Sequence, residues 1–191
     1  MSTPENRWRA PAPAGLRFVQ DLVNTSAGPD PDPLQEVAGA RRWLREALGA
    51  WSAATGQPAP GIELDDTDLA PLRDHRGRLQ SALRVQPGPT AASVTLTSHE
   101  TSARVLLTTT PDGRVRYEPF ESGWRAVRGL AAAETLLAQA GGTWHRLKVC
   151  AYPACGACFY DRSPNRTRVW HDTRTCGNLA NLRASRARKR S

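Results

Sequence analysis

The spacing of hydrophobic and polar positions predicts helices at both ends of the larger part of the chain. Apolar residues at 16, 18, 19, 22 and 23 suit a short helix or an irregular buried strand. Asp32-Pro33 forms an N-cap and first-turn pair, so a helix is expected to about Leu48. A second helix should follow the acidic run 65–68 and continue to about Leu83, and a third should span residues 122–140.

In the middle of the chain, the spacing of apolar residues changes from a helical to a strand-like period. Three short segments are rich in β-branched residues and partly alternate: 94–97, 104–108 and 114–118. The turn sequence Pro111-Asp112-Gly113 separates the last two, which predicts a hairpin. Helices flanking a small antiparallel sheet define an α+β fold.

Composition and charge divide the chain. Its 191 residues suffice for one ordinary domain plus a small module. Residues 1–143 carry 15 Arg against 16 Asp and Glu, whereas residues 144–191 carry 11 Lys and Arg against 2 Asp. We expect a disordered, Pro- and Ala-rich arm over 1–14, an α+β domain over 15–143, and a basic module over 144–191.

The basic module is a candidate nucleic-acid interface. Clustered guanidinium groups bind phosphate oxygens and release condensed counterions, which gives affinity without sequence readout. The alternative is a solvated basic terminus. In the expected C-terminal helix, Leu179, Leu182 and Ala187 are spaced to pack on the module. The candidate contacts are Arg162, Arg166, Arg168, Arg174, Arg183, Arg186, Arg188, Lys189 and Arg190.

Several classes of protein lack support in the sequence. No apolar run approaches the length of a membrane span, and the N-terminal residues lack the apolar core of a signal peptide, so we expect a cytoplasmic protein. The chain contains no Walker loop, dinucleotide fingerprint, nucleophile elbow or His-Glu-x-x-His pair. The sequence therefore contains no motif that supports enzyme activity.

All four cysteines fall near the C-terminus, with one histidine among them. Cys150-x4-Cys155 and His171-x4-Cys176 form two ligand pairs with equal inner gaps, which is the layout of a structural zinc site. Pro153 and Gly156 suit a tight turn at the first pair. A helix beginning just after Cys176 would make the unit similar to a treble clef.

Cys158 offers an alternative fourth ligand. Cys155-x2-Cys158 is itself a common zinc-binding spacing and would give an all-cysteine site without His171. We favour the His171 set because it leaves two symmetric pairs, while Cys158 precedes the apolar pair Phe159-Tyr160 and suits a small core position. Buried thiols without a metal are a further alternative, and disulfides are less expected in this setting.

These residues resemble a known family. The segment from Lys148 to Cys155, the run 159–163, Asn165-Arg166, Trp170 and Cys176-Gly177-Asn178 are similar to the CGNR zinc finger. Members of that family carry an N-terminal domain called ABATE, whose marker resembles the run 21–25, and are described as stress-induced transcription regulators of bacteria. The family usually has cysteine at the position of His171, and its name-giving motif ends in arginine where this chain has Leu179.

The resemblance implies a zinc-stabilised DNA-binding end and a larger domain that could bind a small molecule at Asp21, Asn24 and Thr25. From the residues alone, backbone capping is the default interpretation of these three. Two functional hypotheses follow. The first is a DNA-binding regulator whose larger domain senses a small molecule or contacts a protein. The second is a zinc-containing enzyme or small-molecule-binding protein in which the finger is a structural clamp.

Overall fold

The computed structural model describes residues 10–27, 30–84 and 102–188. The fold is α+β: a helical N-terminal region with a small antiparallel sheet, followed by a second small sheet and a C-terminal helix. Its helices and strands are α1 Leu16–Asn24, α2 Val37–Thr55, α3 Asp66–Arg84, β1 Val105–Thr109, β2 Val115–Pro119, α4 Gly123–Ala140, β3 Leu147–Val149, β4 Cys158–Tyr160 and α5 Asn178–Arg188.

Helix α1 occupies the centre of the core, which decides between the two structures expected there in favour of a helix. Phe18, Val19, Leu22 and Val23 are fully buried, and α1 contacts α2, α3 and α4. Each such side chain contributes roughly 1.5–3 kcal/mol through burial. The polar Gln20 is also buried, and its amide binds the backbone of Ala10 and Ala12.

Helix α2 begins later and ends later than the sequence predicts. Asp32 caps a short 3₁₀ turn, Pro33–Gln35, by accepting a hydrogen bond from the Leu34 amide at 3.0 Å. The helix itself starts at Val37 and continues beyond Leu48 to Thr55. It extends because Trp51 continues the buried side, and it ends at Gly56, whose φ of 70° is the left-handed conformation of a helix C-cap.

Helices α3 and α4 are joined at their N-termini by one carboxylate. Asp68 accepts hydrogen bonds from the amides of Asp65 and Trp124, so it caps both helices. On α4 the inward side carries Val127 and Leu130, which are fully buried. Two further apolar residues of that helix, Leu136 and Leu137, are exposed.

The predicted hairpin is present as β1 and β2. The strands pair antiparallel with Leu107 opposite Tyr117, and the turn contains Gly113 at a φ of 79°. The predicted strand at 94–97 lies outside the described residues. Of the helices in the described ranges, none combines the length and apolar character needed to cross a membrane.

The predicted disordered arm lies mostly outside the described residues, but residues 10–14 depart from that expectation. Ala12 is buried, and its amide donates to Gln20. The carbonyl of Pro11 accepts a hydrogen bond from Arg162. These contacts attach the end of the arm to both the helical core and the C-terminal region, so hydrogen bonds compensate for the entropy of ordering it.

Candidate metal centre

Four side chains from two segments converge near the C-terminus. Cys150 directly follows β3, Cys155 lies in the turn before β4, and His171 and Cys176 both precede α5. Their potential ligand atoms all lie within 4.8 Å of one another. The four residues therefore form a candidate metal-binding site.

The geometry of the donors suits a tetrahedral ion. The Nδ1 atom of His171 lies 3.2 Å from the Cys155 sulfur and 3.6 Å from the Cys176 sulfur. Tetrahedral zinc, with bonds of about 2.3 Å to sulfur and about 2.0 Å to nitrogen, separates such atoms by about 3.5 Å. Three thiols and one imidazole are also a ligand set that zinc commonly uses. The residues present thus fit zinc.

The first ligand pair is positioned by a hairpin. Strands β3 and β4 pair antiparallel with Val149 opposite Cys158, and the Cys150 amide donates to the Ala157 carbonyl at 2.8 Å. Gly156 has a φ of 68°, a conformation that glycine adopts without strain. The chain can therefore reverse between β3 and β4 within a few residues, as the Pro153 and Gly156 pattern predicts.

The second ligand pair is positioned by a tight helical turn. Asp172 accepts a hydrogen bond from the Arg174 amide at 2.8 Å and caps the π-helical turn Thr173–Gly177, which leads directly into α5. The Cys176 amide in turn donates to the Asp172 carbonyl. The last cysteine consequently lies just before the helix, in the arrangement that the sequence predicts.

Burial makes the thiols poor acids when no cation is present. Burial, with the charges of Cys150 and Cys176 as smaller contributions, raises the pKa of Cys155 to about 12. The pKa of Cys176 is also raised, again mainly by burial. A bound dication reverses this preference by stabilising the thiolates, so metal binding here must release protons.

Cys158 lies outside the cluster. Its side chain is fully buried among residues of the helical core, where burial raises its thiol pKa. This is the small core position that the sequence analysis favours for it. The structure therefore assembles the set containing His171 rather than an all-cysteine set.

The predicted basic residues surround the metal centre but differ in their contacts. Arg168 lies over the Phe159 ring and donates to the His171 carbonyl, and Arg183 lies over the Tyr152 ring. Arg162 donates to Pro11, as noted above. Lys189 and Arg190 lie outside the described residues. The remaining described members are exposed: Arg166, Arg174, Arg186 and Arg188.

The apolar residues of α5 do not pack as expected. Leu179 and Leu182 are 46% and 53% exposed, whereas Ala180 packs against the cluster formed by Cys150, Tyr152 and Cys176. The π-helical turn sets the direction and rotation of α5, and helical spacing alone does not reveal this rotation. The prediction that these leucines pack on the finger is wrong, and the side chain of Ala187 lies outside the described part of the structure.

The three residues expected to bind a small molecule are engaged by protein groups. Asp21 pairs with Arg17. Thr25 donates to the Leu22 carbonyl and accepts a hydrogen bond from Arg76. The amide of Asn24 forms two hydrogen bonds with the Cys158 backbone, so α1 contacts β4 directly. A ligand-binding role for these residues stays a prediction.

Sequence analysis missed a charged pair beneath the basic loop. Asp161 is fully buried, and Lys148 donates to its carboxylate at 2.8 Å. Burial pushes the pKa of Asp161 upward, but hydrogen bonds from Lys148 and Ser163 outweigh it and lower that pKa to about 2. The signal in the sequence was a lone acid directly after an apolar strand in a strongly basic segment.

The geometry agrees with the comparison to known families. Residues 146–189 match the family model of the CGNR zinc finger. The fold and the site thus define a chain with a C-terminal zinc-finger region and a candidate metal-binding site. A search of curated proteins found no match to the chain. The expected relationship of the N-terminal region to the ABATE domain stays a prediction, because the family match does not extend to residues 1–145.

Proposed function

We propose that the chain is a zinc-dependent, DNA-binding transcription regulator, in which the N-terminal region senses a small molecule or contacts a protein partner. The observation that carries the proposal is a set of arginines without acidic partners around the metal centre. Within the part of the chain that the structure describes, no Asp or Glu forms a salt bridge with any of Arg162, Arg166, Arg168, Arg174, Arg183, Arg186 and Arg188.

Unpaired guanidinium groups of this kind suit a polyanion. Salt bridges elsewhere in the molecule neutralise arginines such as Arg76 and Arg128, which pair with Asp32 and Glu121. On the finger, the only acidic residues are Asp161, which is buried and paired with Lys148, and Asp172, which caps a helical turn. The positive charge of the surface is therefore available for phosphate groups.

The role proposed for zinc is mechanical. The finger's own apolar cluster is small, consisting of Cys150, Tyr152 and Cys176 with a few partly buried neighbours. A cluster of this size contributes little stability by burial, so a bound ion would supply much of the energy that orders the loop and α5. Four protein ligands also fill a tetrahedral ion, which favours a structural over a catalytic site.

The proposal is tested by measuring zinc content and binding to a 20-base-pair duplex on the same purified sample. We expect about one zinc per chain and an affinity that falls steeply with salt, with a slope of log Kd against log salt of about 4.5 to 6.3 if five to seven phosphates are contacted. His171→Ala should lower both zinc content and affinity. His145→Ala is the matched control, since His145 lies in the same region but outside the metal cluster.

Two results would contradict the proposal, and a third would revise the ligand set. A zinc-loaded wild-type chain that does not bind the duplex at low salt would leave the finger as a structural clamp. Salt-independent binding would show that the arginines are not in contact with phosphates. Zinc retention by His171→Ala, with unchanged duplex affinity, would remove this histidine from the metal site.

A further inference from the structure

The edge of β4 that does not pair with β3 is covered by a side chain from the N-terminal region. Asn24, at the end of α1, donates from Nδ2 to the Cys158 carbonyl at 2.9 Å, and its Oδ1 accepts from the Cys158 amide at 2.8 Å. A primary amide in this geometry reproduces the paired hydrogen bonds that a neighbouring strand would form. We call this pair of hydrogen bonds the amide clasp.

Further contacts attach the finger to the helical core around the clasp. The amide of Gln80 on α3 donates to the Gly156 carbonyl at 3.0 Å, and Gln20 donates to the Cys158 carbonyl at 3.4 Å. The Cys158 side chain is fully buried in the same cluster as Leu147 and Val149 of the finger and Phe18 of α1. The helical region and the finger hairpin therefore share one core.

The clasp acts on the segment that positions the first ligand pair. Cys155 precedes Cys158 by three residues, and the Gly156 and Ala157 backbone between them is held at both positions. Gln80 holds the carbonyl of Gly156, and the carbonyl of Ala157 accepts the hydrogen bond from Cys150. Any shift of β4 therefore changes the separation of the two ligands.

We infer that Asn24 is a positioning residue for the metal centre, and that zinc occupancy and the docking of α1 stabilise each other. The inference uses the candidate metal site but is independent of DNA binding. Thermodynamic coupling is reciprocal: if the clasp strengthens metal binding by some factor, the metal strengthens the clasp by the same factor. Loss of zinc would thus loosen the central helix of the N-terminal core as well as the finger.

The inference is tested on the full, zinc-loaded chain with Asn24→Asp. The carboxylate keeps an acceptor for the Cys158 amide but places an oxygen against the Cys158 carbonyl, which is left with only the longer hydrogen bond from Gln20. We expect zinc transfer to an excess of chromophoric chelator to become about tenfold faster. Gln57→Glu is the matched control. It makes the same chemical change at an amide that donates to Val115 in the β1–β2 hairpin, away from the finger, so its transfer rate should equal that of the wild type.

A second measurement and a second variant keep the inference falsifiable if Asn24→Asp does not fold. Hydrogen exchange of residues 16–24 in the wild type should accelerate several-fold when zinc is removed. Gln80→Glu, which loses the contact to Gly156, should also release zinc faster. A folded Asn24→Asp with the wild-type release rate would overturn the inference. The inference would also be overturned if Gln80→Glu released zinc at the wild-type rate and the hydrogen exchange of residues 16–24 did not change on zinc removal.

Discussion

At the scale of single residues, the helical core contains a histidine that is costly to ionise. His75 on α3 is buried, and its Nε2 atom has no hydrogen-bond partner among the described residues. Burial, together with the positive charges of Arg128 and Arg78, lowers its pKa to about 4. Its position on α3 predicts a surface residue, but the structure buries it. This environment makes the stability of the fold dependent on pH.

The direction of that dependence follows from linkage. In the unfolded chain His75 has a pKa near 6.5 and is protonated below that pH. In the folded chain it stays neutral down to about pH 4. Stability is therefore retained above about pH 6.5 and lost as the pH falls from there to about 4, by up to roughly 3 kcal/mol. His75→Leu should remove most of this loss. Urea unfolding at pH 7.0 and 4.5 measures the free energy of unfolding of both proteins. If the difference between the two pH values is the same in His75→Leu as in the wild type, His75 is not its source.

At the scale of elements, the basic loop over residues 161–168 is held from beneath by two charges. The Asp161 carboxylate accepts hydrogen bonds from Lys148, from Ser163 and from the Arg168 amide. Lys148 also donates to the carbonyls of Arg166 and Arg168. Arg166 has a φ of 55°, which non-glycine residues rarely adopt, so the loop keeps a conformation that needs this support.

Asp161→Asn separates loop positioning from net charge. The substitution removes a negative charge from a basic surface, so long-range electrostatics alone would tighten duplex binding. Losing the ion pair with Lys148 loosens the loop, and we expect binding to weaken by about tenfold instead, an ordinary size for coupling between two sites. Fluorescence anisotropy at fixed salt measures the affinity. The zinc content of Asp161→Asn must equal that of the wild type for this comparison to hold. Tighter binding would show that the loop does not need the ion pair between Asp161 and Lys148.

The same elements show what the sequence could and could not predict. The apolar spacing of α1 and the equal spacing of the ligand pairs are local patterns. The first predicted a buried segment but left helix and strand open, and the second favoured the cysteine–histidine cluster. The clasp between Asn24 and Cys158 joins positions 134 residues apart, and a single asparagine has no period that could reveal it. The rotation of α5 likewise depends on the π-helical turn before it, so Leu179 and Leu182 were misplaced.

At the scale of the whole molecule, charge and packing divide the chain differently. The formal charge of +8 arises entirely from the C-terminal module, because residues 1–143 are close to neutral. Packing, in contrast, joins the two regions: β3 contacts α3, and β4 contacts α1. The predicted boundary near residue 143 is therefore a change in charge, and the hydrophobic core continues across it. Because the basic surface is attached to the helical core, a conformational change in that core can move or cover it.

The contribution of the C-terminal helix to binding can be separated from that of the loop by deleting residues 183–191. The deletion removes five cations, Arg183, Arg186, Arg188, Lys189 and Arg190, but none of the four candidate ligands. If all five contact phosphates, the slope of log Kd against log salt should fall by about 4.5, and proportionally less if fewer do. Zinc content should stay the same, because Ala180 and Cys176, which pack together, both remain.

An unchanged slope would place the phosphate contacts on the loop alone. In that case α5 would act by closing the metal site, and the exposed Leu179 and Leu182 would be the more informative residues to substitute.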